Sequence, residues 1–300
     1  MRRPLVDLVV TDLDNTLYDW FEFWYHSFGA LLGRLVLDSG LPREVLIREI
    51  KAVHERHQTS EYAFLIQELP SLQKLHPGQD VVKVYDDAIH EYRRARKKHL
   101  KLYPGVMETL ESLKQRGVLL VGYTESMAFY SASRMRALGL DGVLDYLYSP
   151  ADHSLPQGFE REQLRSYPPE FYGLERTEHR HTPAGECKPN PAVLLDIVAE
   201  VGGTVERTLY IGDSLVKDVS MAQDAGVADV HAKYGTAHTR EEYELLRAVT
   251  HWTAEQVERE KLAGSRTVQP TYTLETGFRE VLDVFDFQSF GRPLLARAVG

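Results

Sequence analysis

Asp12 and Asp14 stand two residues apart, just past the apolar run Leu5 to Val10. Side chains alternate faces along a strand, so both carboxylates can converge on one site at its carboxyl end, the edge where open α/β sheets bind ligands. Adjacent carboxylates repel unless a cation lies between them or one keeps a proton. Phosphoryl transfer uses both states. One aspartate attacks phosphorus, and the other protonates the leaving oxygen and then activates water. An ordinary pair of turn or cap aspartates is the other reading of this dipeptide spacing.

A second apolar run, Thr208 to Ile211, also ends in acid, at Gly212-Asp213, with Asp218 five residues on. Gly212 is expected to permit a tight turn, with Asp213 at the strand tip and Asp218 on the opening turn of the next helix. Oxygen ligands at two neighbouring strand ends suit Mg2+, which keeps waters beside one or two carboxylates and a substrate phosphate. Thr124 closes a further apolar run and precedes Glu125 and Ser126. Its hydroxyl and the following amides would face the same edge near a helix start, which makes Thr124 and Glu125 candidates for phosphate binding. Lys188, in Cys187-Lys188-Pro189, would neutralise the nucleophile and the transferring group.

The elements that must position these groups alternate. Leu5 to Val10, Val118 to Tyr123, Val143 to Tyr148, Thr208 to Ile211 and Asp229 to Ala232 read as strands. Helical periodicity separates most of them: Val106, Leu110 and Leu113 share a face, and Met127 to Leu138 and Val216 to Ala225 each end near a glycine. Near-continuous apolar strands imply a parallel sheet covered on both faces, so the expected fold class is α/β with a Rossmann-like doubly wound parallel sheet. Three stretches break the rhythm. Residues 18–101 carry apolar positions at helical spacing, from Trp20 and Trp24 to Ile89 and Tyr92, and read as an inserted helical domain. Ser149 to Glu186 holds five prolines and reads as a long surface insertion or loop. Arg240 to about Lys261 reads as a polar helix, followed by an edge strand at Thr271 to Thr273 and a final helix from Glu275 to Phe285.

Four elements in this order, Asp12-Leu13-Asp14-Asn15-Thr16, Thr124, Lys188, and Gly212-Asp213 with Asp218, resemble the four motifs of the haloacid dehalogenase superfamily. The resemblance covers Leu5 to Tyr18 and Leu102 to about Ala232. It implies that Asp12 is nucleophile and Mg2+ ligand, Asp14 is general acid/base and ligates through its carbonyl, and Asp213 is a metal ligand. Thr124 and Lys188 would hold the phosphoryl oxygens, with Asp218 supporting the metal from behind. Residues 18–101 would be a helical C1-type cap, and 1–17 with 102–300 the core, carrying the 149–186 insertion and a C-terminal extension from about 233. The implied activity is Mg2+-dependent hydrolysis of a small phosphorylated metabolite through an aspartyl-phosphate. A phosphomutase would keep the same groups. A haloacid dehalogenase would need neither Mg2+ nor the second aspartate, and a non-catalytic phospholigand-binding protein would keep the core alone.

Composition sets the outer limits. A net charge of −9 over 300 residues disfavours nucleic acid and acidic membranes as partners, since counterion release needs a basic face. The basic run Arg93 to Lys98 reads as a solvated helix face. The single Cys187 forms no internal disulfide, and no apolar stretch reaches membrane-span length, so a cytoplasmic location is the expectation. His179 and His181 with Cys187 match no standard zinc spacing, and no second metal is assigned to them. The aromatic cluster Trp20, Phe21, Trp24 and Tyr25 reads as core before it reads as a substrate wall. Oligomeric state is open.

Overall fold

The computed structural model describes residues 3–152, 172–237, 240–252 and 268–291. Its described strands are β1 (Leu5–Val6), β2 (Leu8–Thr11), β3 (Leu119–Tyr123), β4 (Tyr146–Ser149), β5 (Glu178–His181), β6 (Thr208–Gly212), β7 (Ala228–Ala232), β8 (Tyr272–Leu274) and β9 (Asp286–Phe287). Seven of them form one sheet in the order β5-β4-β3-β2-β6-β7-β8, every pair parallel, while β1 and β9 make a separate parallel pair. The strand carrying Asp12 therefore sits in the middle. Thr11 is in register with Gly122 of β3 and Ile211 of β6, so three strands end side by side.

Two-residue alternation explains the packing. Leu8 and Val10 of β2, Val121 and Tyr123 of β3, and Tyr210 of β6 share one core with Val193, Leu194, Ile197 and Val198 of helix Pro191–Glu200 and with Met221 and Ala222 of helix Ser220–Asp224. The intervening Val9, Leu120 and Leu209 are equally buried, as a parallel sheet with helices on both faces requires. Asn190 caps the 191–200 helix by accepting from the Ala192 and Val193 amides, and Pro191 fills its first position.

The chain divides into two compact units, one of Met1–Tyr18, Leu102–Thr236 and Thr267–Gly300, the other of Asp19–Lys101 and Ala237–Arg266. The second unit is helical, with helices Trp20–Ser39, Arg43–His57, Pro70–Leu75, Val81–Val84, Asp86–His99 and Tyr243–Val249. Its core joins Phe21, Trp24, Leu32, Leu46 and Ile50 to Ala237, Tyr243, Leu246 and Val249, so Ala237 and helix Tyr243–Val249 pack with the insertion rather than extending the sheet unit. His54 ties the two stretches together through Nδ1 and the Val249 carbonyl, 2.6 Å apart. Nothing in the local sequence announces that pairing, which spans nearly two hundred positions. No helix among the described residues is long and apolar enough to cross a membrane.

Several expectations are corrected in detail. The stretch Ser149 to Glu186 contains β5, which pairs with β4 at the sheet edge; its sequence Glu-His-Arg-His lacks the apolar alternation by which strands are read, because an edge strand needs little burial. Residues 153–171 of that stretch, and 253–261 of the expected polar helix, lie outside the described residues. The helix expected from Gln79 to His99 breaks at Tyr85, whose backbone (φ −105, ψ 28) leaves the α region, while its ring fills the core. The helix expected from Glu275 to Phe285 is two short turns, Phe278–Glu280 and Val281–Val284.

Trp24 is 2% exposed and stacks on Phe28 with ring centroids 4.9 Å apart and on Trp20 at 5.9 Å. Its indole is core. Replacing it by alanine is expected to cost about 3–5 kcal/mol of unfolding free energy, which chemical denaturation will read; a loss under about 1 kcal/mol would mean the ring holds nothing together.

Candidate active site

The β2 ladder runs one residue past Thr11: the Asp12 amide donates to the Ile211 carbonyl at 2.8 Å. That bond holds Asp12 in strand geometry at the sheet edge, and its carboxylate is buried. Beside it, β6 ends in Gly212-Asp213, and the chain enters a widened π-type helical turn, Leu215–Val219. Such turns carry an extra residue and recur at functional sites. Here the turn swings Asp218 back over Gly212, where a Cβ would overlap the Asp218 carboxylate. The glycine is thus required for close approach, not for the tight turn expected from sequence, since Gly212 is not among the residues with positive φ.

One lysine closes the arrangement. Lys188 Nζ donates to Asp12 Oδ1 at 2.6 Å and to Asp218 Oδ1 at 3.0 Å, with its side chain only 2% exposed. The Tyr123 and Tyr210 rings lie 4.8 and 5.5 Å from the ammonium, offering their faces to its charge. Tyr210 also donates to Asp218 Oδ1 at 2.8 Å, the Ser214 amide donates to Oδ2 at 3.0 Å, and Thr16 Oγ1 donates to Asp12 Oδ2 at 3.3 Å. Burial alone would pull the lysine down, but Asp12 and Asp218 outweigh it and keep the ammonium charged. Burial pushes Asp12 up; Lys188 opposes this, while the like charges of Asp218 and Asp14 add to it. The cluster therefore carries more acid than base.

That surplus and its geometry fit a cation. Oxygens of Asp12, Asp213 and Asp218 lie within 4.8 Å of one another, an all-oxygen donor set of the kind hard divalent ions prefer. His231 Nε2 lies 3.0 Å from the Asp213 carbonyl and steadies that strand end from β7.

Asp14 is not part of that set of oxygens. Its Oδ1 accepts from the Tyr18 hydroxyl at 2.6 Å and Arg134 Nη1 at 3.1 Å, and its Oδ2 from Ser126 Oγ at 2.6 Å and Thr124 Oγ1 at 3.2 Å. The two aspartates thus face different partners. Glu125 takes an unforeseen part: its carboxylate accepts from the Lys188 amide at 3.0 Å and from Lys217 Nζ at 2.7 Å, fixing the loop that presents Lys188. The structure brings together Asp12, Asp14, Thr124, Glu125, Lys188, Asp213 and Asp218. Sequence reasoning missed Tyr18, Ser126, Arg134 and Tyr210. Tyr210 carried a usable signal, since it lies two residues before Gly212 on the same strand face. Arg134 carried none, because an arginine on a surface-length helix reads as solvated.

Arg134 is 4% exposed and also donates to Ser126 Oγ at 2.9 Å, so it braces the acid and one of the acid's donors at once. Arg134→Met is expected to lower stability by about 2 kcal/mol, because it strips a charged donor from the partly buried Asp14 carboxylate. Urea unfolding will measure this, and unchanged stability would show that the pair is not energetically coupled.

Comparison with known proteins identifies the family. The sequence model for haloacid dehalogenase-like hydrolases matches residues 9–157, and a second, HAD-hydrolase-like, model matches residues 186–259. The chain is 24% identical over 241 residues to a glyceraldehyde 3-phosphate phosphatase of Methanopyrus kandleri, covering 77% of this chain and 85% of that one. It is 23% identical over 243 residues to a phosphoglycolate phosphatase of Agrobacterium fabrum, covering 78% and 83%. Among solved structures, a 2-haloacid dehalogenase of Pseudomonas syringae superposes with a TM-score of 0.53 at 18% identity, covering 93% of this chain and 97% of that one; at this identity the likeness speaks for the fold alone. With the motif residues gathered at one edge of a parallel sheet and family models matched over 9–157 and 186–259, the chain belongs to the haloacid dehalogenase-like hydrolases.

Proposed function

We propose that the protein is a Mg2+-dependent phosphatase that cleaves a small phosphate monoester through an aspartyl-phosphate on Asp12. The observation that carries this reading is the Asp12–Lys188–Asp218 cluster beside Asp213: a buried carboxylate, a charged ammonium at 2.6 Å and an acid surplus that calls for a cation. Asp12, Asp213 and the Asp14 carbonyl would hold the ion, with Asp218 behind them. When bound, Mg2+ would neutralise charge on the site and on the phosphoryl oxygens.

The chain's own groups supply the remaining steps. Lys188 and the Thr124 hydroxyl orient the phosphoryl group and offset its charge. Asp12 attacks phosphorus while the bond to the leaving oxygen breaks, and Asp14 gives that oxygen its proton. Asp14, now a base, takes a proton from water as the water attacks the phosphoaspartate, which releases phosphate and restores Asp12. For Asp14 to do this, one of its four donors must yield; the Thr124 hydroxyl, whose single proton turns from Asp14 to the phosphoryl group, is the one that does so. Glu125 serves phosphate binding through the Lys188 loop and its own backbone rather than through its carboxylate, which would repel the substrate.

The relatives' names point to short anionic substrates such as phosphoglycolate and glyceraldehyde 3-phosphate, which we take as the first to try. We read the helical unit as a cap that selects the leaving group. A haloacid dehalogenase reading is disfavoured by Asp14 with its dedicated donors and by the acidic set around Asp213. Phosphate release from these two compounds and an aryl phosphate is expected to need Mg2+ and to fall at least about a thousandfold in Asp12→Asn, in line with loss of a catalytic nucleophile. Turnover that survives either chelation or that substitution would overturn the proposal.

A further inference from the structure

Away from the carboxylate cluster, the helical unit gathers a second set of metal-ligating side chains. Glu22 and His26 lie four residues apart on helix Trp20–Ser39, hence one above the other on a single face. Helix Asp86–His99 packs along that helix and ends on His99. His26 Nε2 is 3.0 Å and His99 Nδ1 3.5 Å from the same oxygen, Glu22 Oε1, and the two imidazole centroids are 3.8 Å apart.

We propose that Glu22, His26 and His99 form a second cation site that takes a borderline transition-metal ion, of which Zn2+ is the best match. The ligand chemistry separates it from the core site. Two imidazoles and one carboxylate suit Zn2+, with water in the fourth position, and suit Mg2+ poorly. The spacing agrees as well. Tetrahedral bonds of roughly 2.0–2.1 Å place neighbouring ligand atoms about 3.3–3.4 Å apart, and the two observed N···O separations bracket that value, with all three ligand atoms inside 4.8 Å. Arg240 Nη1 lies 4.0 Å from Glu22 Oε2, which leaves Oε1 turned towards the histidines and supports it from outside. Directing both lone pairs at one ion requires the stacked rings to splay. Side-chain exposures of 40% for His26 and 20% for His99 leave room for that rotation.

The position gives the site a purpose. Glu22 lies in the first turn of the insertion's first helix and His99 ends the helix that leads out of it, so one ion would clip the entry and exit of the inserted segment. A link between residues so far apart in sequence restrains the unfolded chain and steadies the unit as a crosslink does.

The test is calorimetric titration of Zn2+ into the full chain in excess Mg2+, which competes for the all-oxygen core site, with thermal unfolding read in parallel. One Zn2+ per chain is expected, together with a Zn2+-dependent rise in Tm. His26→Gln and His99→Gln are each expected to weaken binding by about tenfold or more, since even outer groups around a metal cost that much. The same titration with Co2+ should give the intense visible absorption of a tetrahedral nitrogen-ligated ion, lost in the double variant. Absence of binding by the wild-type chain, or undiminished binding by the folded double variant, would overturn the proposal, and neither result bears on phosphatase activity.

Discussion

The whole sheet edge is organised around one buried ammonium. Lys188 gives up its water between Asp12 and Asp218, and taking such charges out of solvent costs several kcal/mol per ion unless contacts are short and well aimed. The structure meets that condition by constraint at every neighbour. β2 and β6 end in register, Gly212 leaves room for the Asp218 carboxylate, Tyr210 and the Ser214 amide add two further donors to that carboxylate, and Glu125 pins the loop that delivers the lysine. Each of these devices makes sense only if the lysine must stand at one place. A well-packed apolar group there would serve stability as well or better, so stability alone does not account for the buried cluster.

The same edge separates two aspartates that the sequence places almost side by side. Asp12 remains in the β ladder, buried among charges, where burial and like charge work against its ionised form and a cation would restore it. Asp14 lies beyond the strand end, held by hydroxyls and a guanidinium that carry no metal chemistry. Backbone geometry creates this division: the chain leaves the sheet after Asp12, and Asn15 takes a left-handed conformation, φ 59, as the chain turns back towards Tyr18. One carboxylate is thereby suited to bond formation and the other to proton transfer.

What could be read in the sequence was whatever depends on neighbours along the chain. An apolar run ending abruptly in acid marks a strand tip, so Asp12, Asp14 and Asp213 were legible, as were the central strands and the helical periodicity of residues 18–101. Asp218 was legible as part of the site, but its hydrogen bond to Lys188 depends on a widened turn that five residues of sequence do not announce. Arg134 looked like any helix-surface arginine until tertiary structure buried it against Asp14. β5 was hidden because Glu-His-Arg-His has no apolar face to declare, and its pairing comes from β4 alone. The attachment of helix Tyr243–Val249 to the helical unit was out of reach for the same reason: it is written in contacts such as Tyr243 on Phe21, 5.3 Å between ring centroids, not in local pattern.

We propose that Asp12, rather than water, attacks the substrate. The stereochemical course at phosphorus tests it most directly, by following hydrolysis of an isotopically chiral phosphate monoester. Two successive in-line displacements, first by Asp12 and then by water, predict retention of configuration. Inversion would mean that water displaces the leaving group in a single step, and would contradict a covalent role for Asp12 whatever the effect of mutating it.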